Sequence, residues 1–172
     1  SHIYIGQPGV YRGDPDYFAL YMSNHAFGGS TLVSRLGEEV REKRGLSYGV
    51  YSYFAPMRRS GPFLMIMQTK NSQAAEGLKV MMETLKKFVK EGMTKKEYIA
   101  SKKNITGGFP LRIDSNNKIV EYISMIGFYN LPKTYLNDFN KNIESVTLAK
   151  ANAAFKKRID PEKMITIIVG GK

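Results

Sequence analysis

The sequence contains no cysteine in 172 residues. That excludes a disulfide framework, a thiolate nucleophile and any Cys-ligated zinc or iron–sulfur site. Histidine is nearly as scarce. His2 and His25 are the only two, so a zinc site built from two or three imidazoles of one chain is all but excluded. No apolar run reaches about 18 residues, so no segment reads as a transmembrane helix. No signal-peptide pattern is present either, although in an excised fragment that would say nothing of the parent protein. Acid is short relative to base: 15 Asp and Glu against 26 Lys and Arg leave a net charge of +11. Such a surplus favours solubility and anionic partners without by itself signalling nucleic acid.

What is there fits one domain over residues 3–171, long enough to bury roughly 70% of its unfolded surface. Ser1-His2 reads as a tag remnant. Residues 3–11 read as a strand, with Ile3 and Ile5 alternating around Tyr4 and Pro8 marking an irregular end. Asp14-Pro15 matches an N-cap and first helical position, opening a helix over about 15–26 that Gly28-Gly29 stops. A second helical stretch covers Ser30 to Gly45, with Leu32, Leu36 and Val40 at four-residue spacing and Gly45 as its cap. Residues 47–56 and 62–69 read as a hairpin. The second of these strands is apolar on both faces, which suits cover on both sides, or on one side plus a partner domain.

The rest is mostly helical. Leu78, Met81, Met82, Leu85, Phe88 and Val89 follow the 3.6 period over 73–91. Thr94 and Glu97 form a capping box for a helix over about 95–107. Further helices are expected over 115–129, from Tyr135 to Asn142, and from a Ser145 or Thr147 cap to about 158. Met164 to Val169 closes the chain as a β-branched strand that should rejoin the sheet near the first. The order β-α-α-β-β-α-α-α-α-α-β indicates an α+β fold, with an antiparallel or mixed sheet and helices packed on one face.

Two adjoining segments stand out: Gly28-Gly29-Ser30-Thr31-Leu32-Val33-Ser34-Arg35-Leu36, and Val40-Arg41-Glu42-Lys43-Arg44-Gly45-Leu46-Ser47-Tyr48. On the residues alone, Gly28 and Gly29 read equally as a helix stop, Arg41 as a solvated helix face and Tyr48 as half-buried strand packing. The functional alternative is that Arg41 and Tyr48 converge. A guanidinium and a phenol offer hydrogen bonds to a peptide carbonyl or its oxyanion, but no nucleophile and no metal. His25 reads as a packing or capping histidine. Glu38, Glu39 and Glu42 read as a salt-bridged surface. Lys86, Lys87, Lys90, Lys95, Lys96, Lys102 and Lys103 crowd two helices and read as a solvated face. Without a recognised binding module, nucleic acid is not an expected partner.

The stretch GGSTLVSRLGEEVREKRGLSYGVYSYF resembles the C-terminal-half domain of the pitrilysin/insulinase-type (M16) zinc peptidases, the family of the mitochondrial processing peptidases. RGDPDYFAL, KKNITGGFPLRIDSNNKIVEYI and EKMITIIVGG carry the resemblance to about residues 3–171. It implies a LuxS/MPP-like metallohydrolase domain, one of two homologous halves that close around a chamber. The zinc, held by an inverted His-x-x-Glu-His motif, is implied for an N-terminal domain or subunit, the expected partner. That motif is absent here, so no cofactor or metal ligand is expected in this chain. The resemblance assigns Arg41 and Tyr48 to catalytic assistance, binding an extended peptide and steadying its transition state. It places Gly28 and Gly29 near the substrate. The isolated chain is then inactive. The alternative is a non-catalytic scaffold subunit of the same fold. The sequence leaves the compartment open, the expectation being a bacterial protein of periplasm or cytoplasm.

Overall fold

The computed structural model describes residues 1–30 and 33–170. Leu32, one of the residues in the four-residue spacing, lies outside them. Strand β1 (His2–Pro8) leads to helix α1 (Tyr17–Phe27), a π-helical turn (Gly37–Glu42), and strands β2 (Val50–Phe54) and β3 (Pro62–Gln68). Helices α2 (Ala74–Glu91), α3 (Lys95–Gly108), α4 (Asn116–Phe128), α5 (Tyr135–Ser145) and α6 (Leu148–Arg158) follow, and strand β4 (Ile165–Val169) ends the fold. Among the described residues, the strands form one sheet in the order β2-β3-β1-β4, every pairing antiparallel. The α+β class, the β2–β3 hairpin and the return of the last strand beside the first all stand.

Local chemistry explains the boundaries. Glycine at 92 lets the chain leave α2 with φ 74°, a conformation that side chains with a Cβ resist. The Thr94–Glu97 capping box is complete, each side chain closing on the other's backbone N–H, which satisfies two otherwise orphaned donors. Thr147, not Ser145, caps α6, its side chain accepting from the Lys150 N–H.

Three expected elements shift. Asp14 does not cap α1. Its carboxylate accepts from the Asp16 N–H at 2.8 Å in a turn before the helix, which starts at Tyr17, and Asp14 and Asp16 together receive Arg158 at 3.1 and 2.9 Å. The helix expected over 30–45 is shorter and π-wound, shown by the Lys43 N–H to Glu38 carbonyl bond of 2.9 Å, a five-residue step. The strand expected from 47 begins at Val50, and Ser47 is held to the end of β3 by its side chain, as described below.

Helices cover one face of the sheet. Ile3, Ile5, Val50, Phe63, Met65 and Met67 point into them and are fully buried. Phe27 of α1, Phe88 of α2 and Phe155 of α6 meet there, with ring centroids 5.0–5.7 Å apart, and Phe63 lies 6.0 Å from Phe155. The opposite face has no helical cover among the described residues, although Ile66 on it is buried.

Candidate functional site

Arg41 lies at the end of the π-helical turn and is half-buried. Directly after it the chain reverses. The Gly45 N–H reaches the Arg41 carbonyl at 3.0 Å and the Leu46 N–H reaches the Val40 carbonyl at 2.9 Å. Gly45 sits at φ 61°, the left-handed region that glycine enters without steric cost. Leu46 is buried.

The chain then runs to Tyr48 under tight restraint. Thr69 Oγ1 donates to the Leu46 carbonyl at 2.5 Å. Ser47 Oγ donates its one proton to the Gln68 carbonyl at 2.5 Å, lies 2.9 Å from the Gly49 carbonyl, and accepts from the Gly49 N–H at 3.1 Å. Tyr48 therefore sits between two residues pinned by one hydroxyl, the Gln68 link fastening them to the end of β3. Its own side chain is 94% exposed. Half-buried strand packing is thus the wrong reading for Tyr48. A tyrosine held by its backbone while its ring stays in water is not explained by the core. Among the described residues Arg41 makes no side-chain hydrogen bond or ion pair, and no hydrogen bond joins it to Tyr48. The structure sets both on one anchored turn and leaves both free to meet a ligand.

Gly28 and Gly29 occupy the other expected position. Both N–H groups bond to the Asn24 carbonyl, at 2.8 and 2.7 Å, ending α1. A Cβ on Gly28 would stand 2.4 Å from Ser52 Oγ and 2.6 Å from Leu36 Cδ1, closer than atoms can pack. The Gly28 carbonyl accepts from the Ser52 N–H at 2.8 Å. Asn24 completes the seam, donating to the Ser52 carbonyl at 2.9 Å and accepting from Ser52 Oγ at 2.6 Å. Gly28 thus has a packing role of its own, letting α1 end against β2.

The residues read as structural behave so. His25 is buried between helices, Nδ1 3.0 Å from Ser101 Oγ and Nε2 3.0 Å from Asn104 Oδ1. Burial holds its pKa below the usual imidazole value. Glu39 pairs with Lys43 at 2.7 Å and Arg44 at 2.6 Å, and Glu38 with Lys43 at 2.8 Å. Those hydrogen bonds, first from Lys43 and then from Arg44, hold the Glu39 carboxyl below its ordinary range. Among the described residues no three His, Asp or Glu side chains are grouped to hold a metal. The residues present therefore do not fit a zinc centre.

Sequence reasoning passed over Arg35. Its guanidinium grips both oxygens of Glu97, at 2.5 and 2.8 Å, reaches the Gly92 carbonyl at 2.8 Å, and lies 4.9 Å from the centre of the Phe88 ring. It ties the segment leading to Arg41 onto the α2–α3 corner. The capping-box glutamate was visible in the sequence, but its second partner, 62 residues upstream, was not.

Comparison with known proteins decides the family. The profile of the peptidase M16 inactive domain matches residues 1–105. The chain belongs to the peptidase M16 inactive-domain family. A crystal structure of the peptidase M16 inactive domain from Pseudomonas fluorescens superposes with a TM-score of 0.88 at 37% identity, covering 99% of this chain and 42% of that one. Among curated proteins, the uncharacterized zinc protease SCO5738 of Streptomyces coelicolor is 28% identical over 98% of this M16 domain and 36% of its own length. The uncharacterized zinc protease YmxG of Bacillus subtilis is 33% identical over 68% of the domain and 28% of its own length. A non-peptidase homolog, YmxG of Helicobacter pylori, is 27% identical over 84% of the domain and 33% of its own length. The chain thus spans about a third of the curated relatives that it matches.

Proposed function

We propose that this M16 domain is the metal-free half of a two-part zinc peptidase, binding an extended peptide opposite a homologous zinc-bearing half. Zinc chemistry, where the complete protein performs it, belongs to that other half. This chain supplies donors. A peptide carbonyl under attack gathers negative charge on its oxygen, and donors aimed there stabilise that state more than the ground state. Arg41 offers a permanently charged guanidinium and Tyr48 a phenolic O–H. We assign both to the substrate carbonyl region, with Gly28 and Gly29 keeping the end of α1 clear of side chains nearby.

The observation that carries the reading is Tyr48, 94% exposed on backbone pinned by Ser47 and Thr69. Such placement leaves the phenol little backbone freedom to lose when it binds. The guanidinium of Arg41 on the same turn, unpaired among the described residues, supports it.

The test is made in the protein that carries both halves, with a fluorogenic peptide. Tyr48→Phe and Arg41→Ala should each lower kcat/KM by about 10²-fold, with unchanged unfolding midpoints because neither side chain belongs to the core. Undiminished kinetics in both variants would remove the role assigned to them. A complete protein that binds zinc yet cleaves no peptide would favour the scaffold role, in line with the non-peptidase relative.

A further inference from the structure

A cleft of about 320 Å³ opens where α1, α4, α5 and the turn after α3 meet. None of its lining residues lies on the Arg41–Tyr48 turn. Arg12 and Arg112 face it, with Tyr17, Tyr21, Tyr122 and Tyr135. Spacing explains the crowding: Tyr17 and Tyr21 share one side of α1, and Tyr135 and Phe139 one side of α5, each pair four residues apart.

The two arginines differ from three others of the chain in their partners. Arg35, Arg44 and Arg158 each reach a carboxylate. Among the described residues neither Arg12 nor Arg112 does. Arg12 Nε is buried with no hydrogen-bond partner, and Nη1 has only the Tyr17 hydroxyl at 3.4 Å. Its guanidinium lies 5.5 Å from the Tyr17 ring centre and 5.3 Å from that of Tyr129. The Arg112 guanidinium lies 5.6 Å from the Tyr21 ring centre. Aromatic faces and tyrosine hydroxyls support both cations but leave neither with a carboxylate and most of their N–H donors without an acceptor.

The remaining polar groups lean the same way. Burial pushes the Tyr17, Tyr21 and Tyr135 phenols up, away from ionisation, so they stay O–H donors. Phe139 is locked by stacking on Phe109 at 4.3 Å, which makes one wall rigid and apolar. Glu121 is the one carboxylate in the lining. Two arginines against one glutamate leave a single positive charge, which matches a monoanion better than a phosphate dianion.

We propose that this cleft binds a monocarboxylate on a small aromatic or apolar body, the carboxylate taken by Arg12 and Arg112 and the body by the ring walls. Both a free organic acid and the C-terminal residue of a peptide present that chemistry. The volume is near the lower end for ligand pockets, so the body is of the order of one aromatic side chain.

Calorimetric titration of the chain with 3-phenylpropanoate, with Gly-Gly-Phe and with Gly-Gly-Phe amide tests this. One saturable site at or below about 1 mM is expected for an acid and none for the amide. Binding of 3-phenylpropanoate alone would identify free acids as the source, and binding of Gly-Gly-Phe would extend it to peptide C-termini. Arg112→Gln, at an exposed side chain, should weaken binding about tenfold or more. Failure of both acids to bind, equal binding of acid and amide, undiminished binding in Arg112→Gln, or tighter binding of phenyl phosphate would each overturn the proposal.

Discussion

The two faces of the sheet are built from similar residues and do different work. On the covered face, cross-strand rows run Val50–Met67–Ile3–Ile168 and Ser52–Met65–Ile5–Thr166. On the open face they run Tyr51–Ile66–Tyr4–Ile167 and Tyr53–Leu64–Gly6–Ile165. A one-sided sheet ordinarily alternates apolar with polar, and this one does not. Ile5 is fully buried, whereas Ile167, on the opposite face, is 56% exposed. Tyr51 and Tyr53 stack on each other at 6.1 Å in the open. Apolar composition alone therefore does not say which strand residues hold the fold together. Contact with the helices does.

The hardest blow to that contrast falls at Phe63. It touches Phe27, Phe54 and Phe155 and is wholly buried. Phe63→Ala should cost about 3–5 kcal/mol, read as a lower urea midpoint at unchanged slope. A loss under about 1 kcal/mol would mean that the aromatic cluster is not the keystone of the covered face.

The covered side also has a polar seam, and it should respond to pH. The His25 imidazole, bonded to Ser101 and Asn104, has its pKa held below the value of 6.5 by burial. The unfolded chain therefore takes up a proton first as pH falls. Stability is complete above about pH 6.5 and declines as pH drops toward the folded-state value. Urea midpoints measured across this range should fall in the parent chain and fall less in His25→Gln. Equal slopes would show that other groups set the acid limit. The effect is expected to be smaller than that of Phe63→Ala, since only one group titrates.

Much of this layout was legible. The 3.6-residue period of α2 placed Met81, Leu85 and Phe88 in the core, and alternation placed Ile3 and Ile5 there too. Thr94 and Glu97 announced their capping box three residues apart. Local rules worked where the deciding contacts were local. They failed where a distant partner intervened. Asp14 read as a cap alone, and its ion pair with Arg158, 144 residues later, was invisible to local spacing. The π-winding near Arg41 depends on a backbone step that side-chain spacing does not encode. Arg41 and Tyr48 were visible through family likeness, yet the exposure of Tyr48 was not, because a tyrosine among strand formers reads as strand. The tyrosine–arginine cleft was hidden for a different reason. Its residues come from four separate parts of the chain, and only packing assembles them.

The gentlest prediction is also the sharpest test of the two faces. Threonine keeps the β-branch and strand preference of isoleucine but exchanges a methyl-bearing arm for a hydroxyl. At Ile167 that hydroxyl meets water, so Ile167→Thr should change stability by no more than about 0.5 kcal/mol. At Ile5, across the sheet, the same exchange buries the hydroxyl and loses core contact, which should cost about 2 kcal/mol or more. Both strands remain paired in either variant, so strand propensity cancels, and what differs is the face together with the place in the sheet, β1 lying inside it and β4 at its edge. A cost at Ile167 approaching that at Ile5 would show that the open face is stabilising within this chain. The expected gap would show that the exposed apolar surface of the edge strand adds little to the stability of this chain.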